Sequence, residues 1–288
     1  MNEQRERTLT DEVVASFAGT DRLSEVVRSL TRHLHAFARD VRLTQAEWEA
    51  GIAFLTRTGH ITDERRQEFV LLSDVLGLSM LTVGINAPAD PRATASTVFG
   101  PFFVEGAPHV ERGGDIAAGA AGEPCWVSGR VTDVDGAPVP GARIEVWEAD
   151  ADGFYDVQYG DGRTAGRAWL ESGPDGEYAF WSVRPSAYPI PANGPVGDLL
   201  AATGRHPMRP AHLHFMVTAP GFRTLITHVF VAGDEHLGSD AVFGVKDSLV
   251  VDVVDREPGT APDGRAGAWC SSTFDIRLGG AATTPSPE

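Results

Sequence analysis

The run RPAHLHFMV at residues 209–217 puts two histidines two positions apart, in a chain that has nine in all. In a strand, residues i and i+2 share a face, so His212 and His214 would project together while Leu213 and Phe215 turn to the other side. Neighbouring imidazoles can hold one metal ion, or one can be a satisfied core histidine and the other a surface residue; spacing alone leaves both open. His33 and His35 repeat the spacing within a helical pattern, where i and i+2 diverge by about 200°, and are no metal pair. The remaining donors are few. Cys125 and Cys270 lack a CxxC spacing and are expected as buried thiols. Two of the four tyrosines, Tyr155 in DADGFYDVQ and Tyr188 in RPSAYPIPANGPVG, lie in Gly/Pro-rich loops. A loop can aim a phenol at a site, although a loop-anchoring tyrosine is the commoner role.

The elements that position these residues follow from periodicity. Apolar positions Leu23, Val26, Val27, Leu30, Leu34, Phe37 and Val41 recur at threes and fours and predict an amphipathic helix over 21–41. Thr44 and Glu47 form a capping box, with Leu43 and Trp48 as its staple, for a second helix. A third is expected over 63–81; its second half, FVLLSDVLGLSML, is apolar on almost every side and predicts burial. Gly, Pro and Ala then thicken between 84 and 124, a connector. From Cys125 the period becomes two. CWVSGRVTDV, ARIEVWEA, GRAWLES, EYAFWSV, AHLHFMV, TLITHVFVA, DSLVVDVV and WCSSTFDI are strand-like, separated by turn signals and without interleaved helices, which predicts a β-sandwich. The expected class is α+β: a helical domain over 1–105, a β-sandwich catalytic domain over 106–279 and a disordered tail over 280–288.

Composition excludes several functions. The 288 residues are 42% hydrophobic and carry a formal charge of −16. That charge repels phosphate backbones and anionic lipid, so neither nucleic acid nor membrane is expected as a partner. The charged N-terminus has no signal-like apolar core, and no stretch reaches the ~18 apolar residues of a membrane span, so a cytoplasmic location is expected. A small molecule is the expected partner.

Four separated segments in order, WEADADGFYDV, YPIPANGPVGDLL, RHPMRPAHLHFMV and GFRTLITHVFVAGDEHLGSDAVFGVKDSLV, closely resemble the intradiol ring-cleaving dioxygenases. LLSDVLGLSM and STVFGPFFVEGAP extend the likeness to roughly residues 20–278. The resemblance implies one ferric ion per chain held by Tyr155, Tyr188, His212 and His214, with O2 and a vicinal aromatic diol or triol as substrates. Tyr188 would leave the metal with a substrate proton, and Arg209 would stabilise negative charge on the ring. Anionic phenolates suit a hard trivalent cation, and a bound cation favours their deprotonation. His228 occupies a position where catechol-cleaving relatives commonly have glutamine; a place beside the metal ligands and a satisfied core histidine are both open. The resemblance also implies a homodimer through the N-terminal helices, which in some members traps a lipid.

Motif matching places Leu71, Asp74, Val98, Phe99, Gly100, Pro101, Phe102, Ile190, Pro191, Arg209 and Val242 around the substrate. Most suit a flat ring. Asp74 shares the face of Leu71 and Leu78 on an otherwise apolar helix, where a carboxylate is costly unless something bonds to it. Either an arginine pairs with it, or it accepts a hydrogen bond from a third substrate hydroxyl. The latter, with WEADADGFYDV and TLITHVFV, makes the chain look most like the family's hydroxyquinol-cleaving branch, giving 3-hydroxy-cis,cis-muconate, the enol form of maleylacetate. Catechol or chlorocatechol cleavage is the alternative. A non-catalytic β-sandwich binding module and a zinc hydrolase are the readings from other classes.

Overall fold

The computed structural model describes residues 3–63, 66–87 and 90–281. It divides into two compact units, 1–60 and 61–288. The division by packing comes earlier in the chain than the compositional change near residue 105.

The first unit is built from α1 (Glu3–Ser16), α2 (Arg22–Asp40) and most of α3 (Gln45–Ile61). Asp21 caps α2 by accepting from the Ser24 amide at 2.8 Å. Thr44 and Glu47 cap α3 reciprocally, at 2.8 Å and 3.3 Å, as the T-x-x-E pattern predicts. Thr10 of α1 meets His35 and Arg39 of α2 at 3.0 Å and 2.8 Å. His35 is thus used in helix packing, and His33 folds back on the Ser29 carbonyl.

The second unit opens with α4 (Glu68–Val75) and α5 (Leu78–Ile85), bent by 76°. The single helix expected over 63–81 is broken because Gly77 is left-handed, at φ 73°. The expected burial of this run is also only half met. The first helix buries Glu68, Leu71, Asp74 and Val75. The second buries nothing, with Leu78, Leu81 and Ile85 exposed. Among the described residues no single helix is long and apolar enough to cross a membrane.

Then follow β1 (Pro124–Asp133), β2 (Arg143–Trp147), β3 (Arg167–Glu171), β4 (Glu177–Val183), β5 (Tyr188–Pro189), α6 (Pro195–Ala202), β6 (Met208–Arg209), β7 (His212–Thr218), β8 (Leu225–Val231), β9 (Val250–Val251), β10 (Val253–Arg256), β11 (Trp269–Thr273) and β12 (Ile276–Leu278). One sheet has the order β3-β2-β7-β8-β9; in the other, β1 is flanked by β4 and by β11 and β12, with β10 outside β11. Alternation sends Ile144, Leu213, Phe215 and Val229 from the first sheet and Val127, Phe180 and Ile276 from the second into one core. Full burial of each such side chain contributes about 1.5–3 kcal/mol.

Three expectations need correction. A short helix, α6, interrupts the strands, started by Pro195 at a position where the missing N–H costs nothing. DSLVVDVV is not one strand: β9 joins one sheet through β8 and β10 the other through β11, so this segment crosses the sandwich. Finally, the tail is ordered at its start, where Gly280 bridges Phe222 and the Ala281 amide donates to Gly221; 282–288 lie outside the described residues.

Candidate active site

Strand alternation on β7 turns Leu213 and Phe215 into the core and His212 and His214 to the opposite face, both rings buried. The His212 Nδ1–H donates to the Pro210 carbonyl at 2.7 Å, which leaves Nε2 with a lone pair, toward which Arg209 Nη1 donates at 3.1 Å. His214 Nε2 lies 3.2 Å from it. The His214 ring is stacked on Trp147 at 4.8 Å between centroids. Its other side is closed by Gly100, at φ 79°, where a Cβ would stand 2.9 Å from His214 Cε1. A side chain there would therefore push the imidazole out of place.

The two tyrosines come from loops, and each loop is tied down. The Asp150 carboxylate accepts from the amides of Asp152 and Phe154 and from the Tyr159 hydroxyl, and the Gln158 side chain accepts from the Tyr155 amide at 2.9 Å. Phe102 stacks on the Tyr155 ring at 4.5 Å. Tyr188 sits on β5 in register with Arg209 on β6, so a two-residue ladder sets phenol and guanidinium side by side. The phenols meet at 3.0 Å; Tyr155 Oη lies 3.0 Å from His214 Nε2, and Tyr188 Oη 3.5 Å from His212 Nε2. Four donor atoms thus close a ring around one point. Three separate segments of the chain supply these atoms, and the fold brings them to one place.

Burial pushes both phenols up, Tyr155 the more strongly; the Arg209 charge pulls each back. The same burial, with Arg209 nearby, pushes His212 and His214 down and keeps them neutral. Two neutral imidazole nitrogens and two phenols that a cation would deprotonate fit a hard metal ion of high charge. His228 lies on β8 directly opposite His214, with ring centroids 4.1 Å apart. Its Nδ1 is 2.9 Å from the Thr97 hydroxyl, and its buried Nε2 has no partner among the described residues. The donor nitrogens of His212, His214 and His228 lie within 4.8 Å of one another, an arrangement able to hold a metal ion.

Beside these residues, Leu71, Val98, Ile190 and Val242 join one apolar cluster with Val75 and Val196. Pro101 and Pro191 are half-buried. Phe99 packs on Trp147 and Phe103. Asp74 is buried, and among the described residues no ion pair forms at it. Burial raises its pKa, opposed by the Ser79 hydroxyl and the charge of Arg209.

Sequence reasoning passed over three positioning residues. Asp240 pairs with Arg209 at 3.1 Å, and Asp150 organises the Tyr155 loop. Glu68, fully buried, accepts from the Val196 amide at the start of α6 and pairs with Arg66. The Asp240 turn had a local signal, an aspartate four residues before a glycine; Glu68 had none.

Residues 20–94 match the model of the catechol dioxygenase N terminus and residues 98–280 that of the dioxygenase domain. Hydroxyquinol 1,2-dioxygenase of Nocardioides simplex is 66% identical over 280 residues, 95% of each chain. The chain belongs to the intradiol dioxygenase family. Among solved intradiol dioxygenases, hydroxyquinol 1,2-dioxygenase from Pseudomonas putida DLL-E4 superposes with a TM-score of 0.90 at 44% identity, covering 97% of this chain and all of that one. Catechol 1,2-dioxygenase from Pseudomonas arvilla C-1 reaches 0.82 at 27%, covering 98% and 93%.

Proposed function

We propose that this intradiol dioxygenase cleaves hydroxyquinol between its two adjacent hydroxyl-bearing carbons, placing both atoms of O2 in 3-hydroxy-cis,cis-muconate. The observation that carries the substrate is Asp74: a buried carboxylate without an ion pair, on the helix that supplies Leu71 and Val75 to the apolar cluster. The Ser79 hydroxyl is one neutral donor to it, and a buried carboxylate takes more than one; the third hydroxyl of the triol would be another. The identity of 66% to the hydroxyquinol 1,2-dioxygenase of Nocardioides simplex, against 39% to the catechol 1,2-dioxygenase of Candida albicans, supports the same choice.

Tyr155, Tyr188, His212 and His214 are the residues that would hold one ferric ion. Bound there, the ion would supply a Lewis acid that also draws electron density from a chelated diphenol and so opens the ring to O2. Once deprotonated, Tyr188 Oη, beside Arg209, would be able to take a proton from an incoming hydroxyl. Arg209 would be a fixed cation for negative charge building on the ring, effective because the site is buried. Leu71, Val98, Ile190 and Val242 would hold the ring flat and exclude water, and Asp74, by binding the third hydroxyl, would fix which way round the ring lies. Trp147 and Gly100 keep the His214 imidazole from turning. His228, unpartnered at Nε2, stands beside the ligands.

The N-terminal helices form the proposed homodimer contact. The α2 stripe of Leu23, Val26, Leu30, Leu34 and Phe37 is exposed on the single chain, although its spacing is that of a buried face.

Oxygen uptake by the iron-loaded protein on hydroxyquinol, catechol and chlorocatechols tests the substrate. The triol is expected to be the preferred substrate by kcat/KM; equal or better turnover of catechol would overturn the assignment.

A further inference from the structure

Arg209 is a buried cation whose charge reaches two buried carboxylates, Asp240 and Asp74, and among the described residues it pairs with the first alone. Its Nε and Nη2 face Asp240 at 3.1 Å and 3.4 Å, while Nη1 is left 3.1 Å from His212 Nε2. Asp240 is itself enclosed. Its two oxygens also accept from the amides of Val242 and Gly244, at 3.2 Å and 2.9 Å, so every direction open to them is used by the guanidinium and its own turn. The turn contains Phe243 in the left-handed region at φ 59°, a conformation that a bulky residue adopts at a cost.

The same turn is tied to the helix that carries Asp74. Arg205 donates to the carbonyl of Val75, next to Asp74, at 2.5 Å and to the carbonyl of Ala241, next to Asp240, at 2.9 Å. Its guanidinium lies over the Phe243 ring, 4.8 Å from the centroid. Asp74 is within the field of both members of the pair, and they act on it with opposite sign.

We infer that Asp240 is a positioning residue for substrate choice: by pairing with Nε and Nη2 of Arg209 and offsetting its charge it keeps the guanidinium from becoming the partner of Asp74, and so leaves Asp74 able to accept from the third hydroxyl of the substrate. This rests on the hydroxyquinol reading above. Without the Asp240 charge, Asp74 is the carboxylate left to compensate a buried guanidinium, and an acceptor whose charge and lone pairs are shared with arginine serves a triol less well. Catechol makes no use of Asp74, so its binding is touched only through Arg209 itself.

The test compares triol with catechol in wild type, Asp240→Asn, Asp74→Asn and the double variant, all loaded with iron to equal content. The readouts are kcat/KM and the anaerobic dissociation constant for each substrate. Asp240→Asn is expected to lower the triol-to-catechol ratio about tenfold in both readouts, of the order of one charge-assisted hydrogen bond. In the Asp74→Asn background the same change should leave the ratio where Asp74→Asn alone puts it. Gly244→Ala is a second variant that removes no charge. Its methyl would stand 3.1 Å from Asp240 Oδ2 and 3.2 Å from Arg209 Nη2 and crowd the pair, so a lower ratio is expected here also. If Asp240→Asn fails to fold, Gly244→Ala decides the matter: an unchanged ratio overturns the proposal. So does an equal loss on both substrates in Asp240→Asn, which would make Asp240 only the counter-ion of Arg209. A wild type with no preference for the triol is a different failure, that of the substrate reading itself.

Discussion

Four donor atoms from three loops and strands converge at 3.0–3.5 Å, and each is held by something other than its neighbours. Removal of one donor from a four-donor site should therefore weaken the metal and spare the fold. His214→Ala is expected to lower bound iron and the visible absorption of ferric tyrosinate together, by elemental analysis and spectrophotometry, with the far-UV spectrum unchanged. Asp74→Asn makes a different demand. The shape is kept and a charged acceptor becomes a neutral one, at a loss of about 1.5–3 kcal/mol for the bond to the third hydroxyl. That corresponds to roughly a ten- to hundredfold fall in kcat/KM for hydroxyquinol. Turnover of catechol should hold or improve; a matched loss on both substrates would make Asp74 structural.

At the scale of elements, the site depends on how strand ends and short helices are fastened. Glu148, immediately after β2, is fully buried; one carboxyl oxygen accepts from the Ser182 hydroxyl and the Val183 amide, and the other has no partner. Burial pushes its pKa up to about 8 from an ordinary 4.5. Below 4.5 the folded and unfolded chains are both protonated at this group. Between 4.5 and 8 only the unfolded chain ionises, so folding loses stability as pH rises, by about 1.4 kcal/mol per pH unit. Above the folded value the slope ends. Glu148→Gln removes the titration and keeps the shape. Its denaturation midpoint is expected to fall less than that of wild type between pH 5 and about 8; parallel profiles would show that Glu148 stays ionised in the fold.

At the scale of the molecule, the formal charge of −16 keeps the surface soluble and unsuited to anionic polymers, yet α2 exposes Leu23 at 69% and Leu30 and Leu34 at 54% each. A stripe of this kind, repeated on a second copy, is self-complementary about a two-fold axis. The double change Leu30→Glu, Leu34→Glu places like charges across such a contact. Light scattering is expected to show a dimer for wild type and a monomer for the variant. A wild-type monomer at micromolar concentration would remove the proposal.

Much was determined by the sequence alone. Period two put His212 and His214 on one face, period three to four drew α2, and the T-x-x-E pattern began α3, because these depend on backbone geometry within a few residues. The motifs carried the resemblance, with Tyr155, Tyr188 and Arg209 in it. The fold decided what depends on distant segments: that Gly77 breaks the third helix, that residues 247–256 cross between sheets, and that α6 starts where Glu68 accepts from its first turn. It also decided that Arg209 belongs to Asp240, which leaves Asp74 without an ion pair. A carboxylate in a sequence carries no mark of which cation it will meet; Asp240 follows Arg209 by 31 positions, and only the packed chain brings them to 3.1 Å.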